Sequence, residues 1–231
     1  MISIIVPAYN EEKRIRGMLE LYAGYFFEKY RDCEFIVVAD GSDRTAAIVK
    51  EMIAIFPGIR LLEYGTRLGK GGGIIEGFKQ ARGDIMAFVD ADESVSPSDL
   101  DSIIGALDTS DCSIGSRRAP GAKITRRQPL KRETISRAFN LMVNLMFNLG
   151  IRDTQCGAKA FKKKAVDLVV PKISSNGFEF DVELLWRIKK HGFSIVEVPI
   201  EWKHSEYSRF SLKHAPRMFT NLLRIRCEQK V

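Results

Sequence analysis

The sequence predicts an α/β fold: a mostly parallel central sheet sandwiched by helices. Two observations carry this. Residues 2–6, 34–38, 59–64 and 85–89 form short strand-like runs that alternate with longer helical stretches, and that alternation implies right-handed βαβ crossovers. Each run ends abruptly in polar or glycine-rich sequence, so all four exits face one edge of the sheet, where ligands gather in folds of this kind. A length of 231 residues, 45% hydrophobic and 28% charged, fits one sizeable domain with at most a small extension.

In order, the first run is broken by Pro7, and Ala8-Tyr9-Asn10-Glu11-Glu12 leads into a helix reaching about Tyr30. The second empties into Ala39-Asp40-Gly41-Ser42-Asp43 before a helix to about Phe56. After the third comes Gly65-Thr66-Arg67-Leu68-Gly69-Lys70-Gly71-Gly72-Gly73, then a helix to about Ala81. This segment is not a Walker A loop. Three residues rather than four separate Gly65 from Gly69, and Gly71 stands where Ser or Thr would hold magnesium. No G-x-G-x-x-G follows the first strand either. The segment reads as an anion cradle, its glycines allowing close backbone approach and Lys70 and a helix N-terminus favouring phosphate. The alternative is a loop whose glycines merely turn the chain.

The fourth run, Ile85-Met86-Ala87-Phe88-Val89, suits a strand covered on both faces. It stops at Asp90-Ala91-Asp92. Two hard oxygen ligands, with room left for water and phosphate oxygens, suit Mg²⁺ or Mn²⁺ better than Zn²⁺. The competing explanation is a turn or a helix N-cap, both of which favour Asp.

Beyond Asp92, Ser96 reads as an N-cap with Pro97 in the first turn of a helix. Residues 111–117 read as a short strand delivering Arg117. Between 117 and 132 stand seven basic residues: Arg117, Arg118, Lys123, Arg126, Arg127, Lys131 and Arg132. The run holds no aromatic residue for base stacking and matches no groove-reading motif, so a phosphate-bearing substrate suits it better than nucleic acid. The helix expected over 133–149 carries apolar residues around nearly its whole circumference, which calls for a core position, a partner or lipid. The basic run beside it strengthens the lipid reading. The tail, 204–231, interleaves Arg209, Lys213, Arg217, Arg224 and Arg226 with Phe210, Leu212, Met218, Phe219, Leu222, Leu223 and Ile225. It is either a basic amphipathic surface helix or a helix capping the core.

The formal charge of +7 favours an acidic partner. Cys33, Cys112, Cys156 and Cys227 are scattered without metal-ligand spacing and read as reduced thiols. The opening apolar run lacks the features of a signal peptide, and no apolar stretch approaches the ~20 residues that span a bilayer. A cytoplasmic protein, peripherally associated with the cytoplasmic membrane face, is expected.

Together, Val6-Pro7-Ala8-Tyr9-Asn10-Glu11, Asp40-Gly41-Ser42, Gly69-Lys70-Gly71 and Asp90-Ala91-Asp92 resemble the successive motifs of family 2 glycosyltransferases, which have the GT-A fold. Lys131-Arg132, Ser136-Arg137, Asn140, the segment from Asp153 through Gln155-Cys156-Gly157 to Phe161, and residues 177–185 and 197–202 narrow the resemblance to polyprenyl-phosphate hexose synthases. It covers essentially residues 1–204. The implied organisation is a GT-A domain over 1–204, with a nucleotide-sugar half (1–92) and an acceptor half (93–204), followed by a basic amphipathic helical extension (205–231). The resemblance implies that Pro7, Tyr9, Glu11, Asp40, Lys70, Asp90 and Ala91 line the nucleotide sugar. Asp90, Asp92 and Gln155 would hold Mg²⁺ or Mn²⁺, and Arg117, Arg132 and Ser136 the acceptor phosphate. Asp92, Arg117, Arg132 and Gln155 would be the catalytic group. Ala39 replaces the first of two aspartates usual before Gly-Ser, which leaves uracil and guanine both open.

The implied reaction moves a hexose from UDP-glucose or GDP-mannose to dolichyl or polyprenyl phosphate, with inversion. Its partners would be the nucleotide sugar, polyprenyl phosphate, an anionic membrane surface and, in one version, a separate membrane subunit, with no nucleic acid. A phosphate monoester is largely dianionic at neutral pH, its second pKa being ~6, so no general base is required. A sugar hydroxyl acceptor would need one, and Glu179, Asp181 or Glu183 would then supply it. The more distant alternative is a non-catalytic nucleotide-sugar or RNA-binding protein.

Overall fold

The computed structural model describes residues 1–126, 129–203 and 215–227, without the side chains of 130–132 and 215–217. Its first half is β1 (Ile2–Ala8), α1 (Ile15–Lys29), β2 (Cys33–Ala39), α2 (Thr45–Ile55), β3 (Ile59–Glu63), α3 (Gly69–Gln80) and β4 (Ile85–Val89). The second half holds α4 (Pro97–Gly105), β5 (Cys112–Ser116), β6 (Lys123–Arg126), α5 (Leu130–Phe147), β7 (Ala158–Lys162) and α6 (Lys163–Val169). It ends with α7 (Phe180–Lys190), β8 (Ile195–Pro199), β9 (Glu201–Lys203) and α8 (Ala215–Cys227).

Seven strands form the main sheet in the order β3-β2-β1-β4-β7-β5-β8. β1 pairs in parallel with β2 and β4, and β5 with β8, while β7 runs antiparallel to both β4 and β5. The predicted mostly parallel sheet is present, with one reversed strand. That reversal positions the site: β4 and β5 leave the sheet on the edge where β7 enters it. Ala158 pairs with Val89, so the residues just before β7 arrive beside Asp90.

Alternate strand residues feed two cores, as expected for a sheet covered on both faces. Ile4, Val6, Phe35, Val37, Ala87 and Val89 pack with Met18, Leu19, Tyr22 and Phe26 of α1 and Ile103 of α4. Ile5, Ile36, Val38, Met86 and Phe88 share the opposite core with Phe78 of α3 and Phe180 and Leu184 of α7. The predicted cap of α4 is formed, Ser96 Oγ accepting from the Asp99 N–H at 3.1 Å.

Only one side of α5 is covered. Val143 and Phe147 are buried, whereas Leu141 is 62% and Leu145 78% exposed. The apolar circumference read from the sequence is thus split between core and open surface. α8 is amphipathic as expected: Met218, Leu222 and Ile225 are buried, and Phe219, Leu223, Arg224 and Arg226 are exposed. Arg209, Phe210, Leu212 and Lys213 lie outside the described residues. Among the described residues, no helix is long and apolar enough to cross a membrane.

Candidate active site

A cavity of about 360 Å³ opens at the strand exits. Pro7, Tyr9, Glu11, Asp40, Lys70, Asp90, Ala91 and Asp92 all line it, together with Arg14, Arg67, Glu179 and Met218. Most of these residues come from the ends of β1, β2 and β4 and the starts of α3 and α7, with Arg14 just before α1 and Met218 on α8, so the fold assembles what the sequence spreads over more than two hundred positions. Asn10 adopts a left-handed backbone (φ 53°) and its side chain accepts from the Ser42 N–H at 2.9 Å, joining the first two exits. Glu11 pairs with Arg14, and its N–H donates to Thr45 Oγ1 at 2.8 Å. Arg67 stacks its guanidinium 4.0 Å from the Tyr9 ring centroid, a cation–π contact at the cavity wall.

The glycine-rich segment differs from the open cradle expected. Asp40 Oδ2 accepts from the N–H groups of Leu68 (2.8 Å) and Gly69 (3.1 Å), and Gly72 N–H donates to Asn176 O at 3.2 Å. The start of α3 is therefore largely capped from within. Its glycines serve close packing: a Cβ on Gly71 would come within 2.5 Å of Phe180 Cβ. Gly69, at φ +81°, also needs glycine's conformational freedom. Lys70, the segment's lysine, lines the cavity.

Asp90 donates its N–H to Gly157 O at 3.0 Å. A Cβ on Gly157 would lie 2.2 Å from Asp90 Oδ2, so glycine is what allows β7 to enter here. Lys70 Nζ sits 3.0 Å from Asp90 Oδ1 and 3.2 Å from Oδ2. Burial raises the Asp90 carboxyl above the ordinary carboxylate range and the charges of Asp92 and Asp181 add to this, while Lys70 opposes it. Burial pulls the Lys70 ammonium down, but Asp181, Asp90 and Asp92 outweigh it and raise its pKa. Asp92 Oδ1 accepts from the Ser94 N–H at 3.1 Å.

The donor set suits a hard divalent ion. Asp90 and Asp92 supply carboxylate oxygens, and the buried Gln155 Nε2 has no hydrogen-bond partner among the described residues. Gln155 is not among the residues that line the cavity. Among the described residues no three His, Cys, Asp or Glu side chains form a closed metal cage. A diphosphate sharing the ion would fit this open set.

The predicted acceptor residues are arranged differently from one another. Arg117 forks onto Asp153, Nε to Oδ2 at 2.6 Å and Nη2 to Oδ1 at 2.7 Å, with the Trp202 ring 5.1 Å away. Burial of Asp153 works against ionisation, but Arg117 outweighs it and holds the carboxyl below its usual range. Ser136 instead receives a hydrogen bond from Arg118 Nη2 at 2.9 Å. Arg118 Nη1 donates to Arg152 O at 3.0 Å, and burial lowers its pKa, with the neighbouring charges of Arg117 and Arg137 adding to this. Arg118 stands in the basic run but no spacing marked it out. The Arg132 side chain lies outside the described residues.

Of the three carboxylates weighed as bases, two are occupied. Asp181 is buried between Lys159, at 2.5 Å, and Lys70, at 3.5 Å. Glu183 is buried under a double contact from Arg187 and accepts from the N–H groups of Ser174 and Ser175. Glu179 alone lines the cavity, with Asn221 of α8 donating to its Oε1 at 2.8 Å. Met218 of the same helix also reaches the cavity wall, a contribution the amphipathic pattern of the tail gave no sign of.

A parallel sheet with one reversed strand, a cavity over its carboxyl edge and an Asp-x-Asp at the central exit define a glycosyltransferase of GT-A architecture. The profile of Glycosyl transferase family 2 matches residues 3–169, and the chain belongs to that family. It is similar to polyprenyl-phosphate sugar synthases. A dolichyl-phosphate beta-glucosyltransferase of Trichomonas vaginalis is 34% identical over 236 residues, covering 97% of this chain and 72% of the relative. An undecaprenyl-phosphate mannosyltransferase of Micrococcus luteus is 34% identical over 209 residues, 87% of this chain and 83% of the relative. Glucosyl-3-phosphoglycerate synthase from Mycobacterium tuberculosis, solved with Mn²⁺, UDP and phosphoglyceric acid, has a TM-score of 0.72 at 22% identity, covering 98% of this chain and 78% of that one. That likeness shows the fold.

Proposed function

We propose that this glycosyltransferase moves a hexose, glucose from UDP-glucose or mannose from GDP-mannose, to a polyprenyl phosphate with inversion at the anomeric carbon. The observation that supports it best is the division of charge between the cavity and the exit of β5. Acidic groups gather at Asp90 and Asp92 on the cavity wall, where a diphosphate needs a cation, and at the exit of β5 Arg118 donates to a serine hydroxyl and a carbonyl while Arg117 is taken up by Asp153. Tyr9, Arg67 and Asp40 take the nucleoside side of the cavity, and Lys70 the diphosphate. Asp90 and Asp92 would hold Mg²⁺ or Mn²⁺, and Gln155 is kept as a third candidate ligand. When bound, such an ion stabilises the charge of the leaving nucleotide as a Lewis acid.

Arg118, Ser136 and Arg132 hold the acceptor phosphate in this reading. Arg117 fixes the position of Asp153 and the β5 exit under them. The phosphate attacks as a dianion, so no side chain has to remove a proton. The occupied state of Asp181 and Glu183 agrees with that. The competing reading, a sugar hydroxyl acceptor, is favoured by one observation: Glu179 lines the cavity and is positioned by Asn221.

The exposed Leu141 and Leu145 of α5, with Phe219 and Leu223 of α8, provide apolar surface for a membrane. Arg137, Arg224 and Arg226 on the same helices suit anionic lipid. In this reading the enzyme works peripherally on the cytoplasmic membrane face, alone or with a membrane subunit. The division into donor (1–92) and acceptor (93–204) halves with a helical extension belongs to the same proposal. The test is incubation with radiolabelled nucleotide sugars, a short polyprenyl phosphate and Mg²⁺ or Mn²⁺. Label in the organic phase, retained by Glu179→Gln, is the expected result. Label passing only to a soluble sugar, and lost in that variant, would reject the phosphate acceptor.

A further inference from the structure

Four charged side chains run in a row beneath the Asp-x-Asp: Lys159, Asp181, Lys70 and Asp90. Lys159 is fully buried, and its Nζ donates to Asp181 Oδ1 and to Cys156 O, both at 2.5 Å. Asp181 is also buried, and its second oxygen lies 3.5 Å from Lys70 Nζ. Lys70 spans onward to both oxygens of Asp90, at 3.0 and 3.2 Å. Its ammonium therefore covers the carboxylate that a divalent ion would use.

We infer that Lys70 is an internal counter-cation for Asp90, which a nucleotide diphosphate draws away so that the metal site becomes available only with the donor in place. This rests on the metal and diphosphate reading above. An ammonium touching both oxygens of Asp90 repels a divalent ion at the same carboxylate strongly, because like charges a few ångströms apart with little water between them are poorly screened. Lys70 lines the cavity, so it has somewhere to go, and the oxygens of a diphosphate replace the carboxylate contacts it gives up.

The Lys159–Asp181 pair is what makes departure feasible. Asp181 is buried, and a buried carboxylate left without a cation is costly. Lys159 stays in place when Lys70 leaves, so only the longer of the two Asp181 contacts is lost. Phe88 walls the same space: Lys70 Nζ lies 5.7 Å and Lys159 Nζ 5.2 Å from its ring centroid. Lys159 and Asp181 are accordingly positioning residues, acting on the metal site through Lys70.

The consequence is a binding order, and it can be read without turnover. Mn²⁺ binding is followed by the loss of the free-ion electron paramagnetic resonance signal, first with no nucleotide and then with UDP or GDP. The wild-type protein is expected to bind Mn²⁺ weakly alone and at least about tenfold more tightly with one of the nucleotides. Lys70→Met should bind Mn²⁺ alone at least about tenfold more tightly than wild type and lose most of the nucleotide-dependent gain. Lys70→Gln provides the same comparison in a second background, with a thermal melt confirming that each variant folds. If both variants bind Mn²⁺ alone no better than wild type, the counter-cation inference is overturned. If Asp90→Asn and Asp92→Asn leave every Mn²⁺ isotherm unchanged, the metal reading itself fails, and the two failures are told apart.

Discussion

Gly157→Ala tests whether the entry of β7 sets the geometry of the Asp-x-Asp. A Cβ at this position lies 2.2 Å from Asp90 Oδ2, 2.6 Å from Cγ and 3.1 Å from Cβ, whereas ordinary contact begins at 3.4 Å. The carboxylate must therefore move by about 1.2 Å, the difference between 3.4 and 2.2 Å. It is the far end of a side chain at the cavity, so the move is cheap for the fold. Turning a side chain well off its rotamer costs about 0.5–1.5 kcal/mol. In a domain of this size that lowers Tm by only a few degrees, at about 2–4 °C per kcal/mol. The site is less tolerant, because a misplacement of ~1 Å costs a reaction on the order of 100-fold. Sugar transfer and Mn²⁺ affinity in the presence of nucleotide should both fall by one to two orders of magnitude, with the melting temperature nearly kept. Gly24→Ala is the control: nothing lies within 4 Å of its Cβ, and in the interior of α1 alanine is favoured by up to about 1 kcal/mol. Wild-type Mn²⁺ affinity and turnover in Gly157→Ala would refute the argument, and so would a collapse of Tm without a selective loss of binding.

Removing either Arg117 or Asp153 leaves a buried charge unpaired and should cost about 3–5 kcal/mol in denaturant unfolding. Because the two are one unit, Arg117→Gln with Asp153→Asn should cost much less than the sum of the singles; additive losses would dismiss the pair. The same pair sets a pH dependence. Asp153 titrates below its unfolded value, so its stabilisation is complete above the ordinary carboxylate range and is lost as pH falls through the depressed native pKa. The stability gap between wild type and Asp153→Asn should close on acidification, and a gap independent of pH would be inconsistent with this. Leu141→Glu with Leu145→Glu, on side chains 62% and 78% exposed, should change stability by no more than about 0.5 kcal/mol per site. Co-sedimentation with anionic vesicles should drop sharply; unchanged sedimentation would remove α5 from the membrane surface.

What was legible in the sequence is what local patterns encode. The four strand exits, the Ser96 cap and the amphipathic α8 follow from residues within a few positions of one another. The reversed strand β7 is different. Ala158-Lys159-Ala160 places a lysine in the middle of a buried strand, which no hydrophobic pattern announces. Its burial makes sense only with Asp181, which arrives 22 positions later on α7. The glycines of 69–73 misled in the same way. They read as room for a phosphate, yet Gly71 makes room for Phe180, a neighbour more than a hundred residues away in sequence.

Charge shows the limit most clearly, because a basic run gives the number of cations but not how many are already paired. Arg117 and Arg118 are adjacent and chemically identical. One finds Asp153, delivered by the chain on its way into β7, and forms a buried fork; the other meets a serine hydroxyl and a carbonyl. Lys70 and Lys159 divide in the same manner around Asp181, one buried for good and one left at the cavity wall. In each pair one cation is fixed on a fully buried carboxylate, and its neighbour is the one the proposed reaction assigns to a substrate phosphate. Substitution of Arg117 or Lys159 should therefore register first in stability, and substitution of Arg118 or Lys70 first in binding.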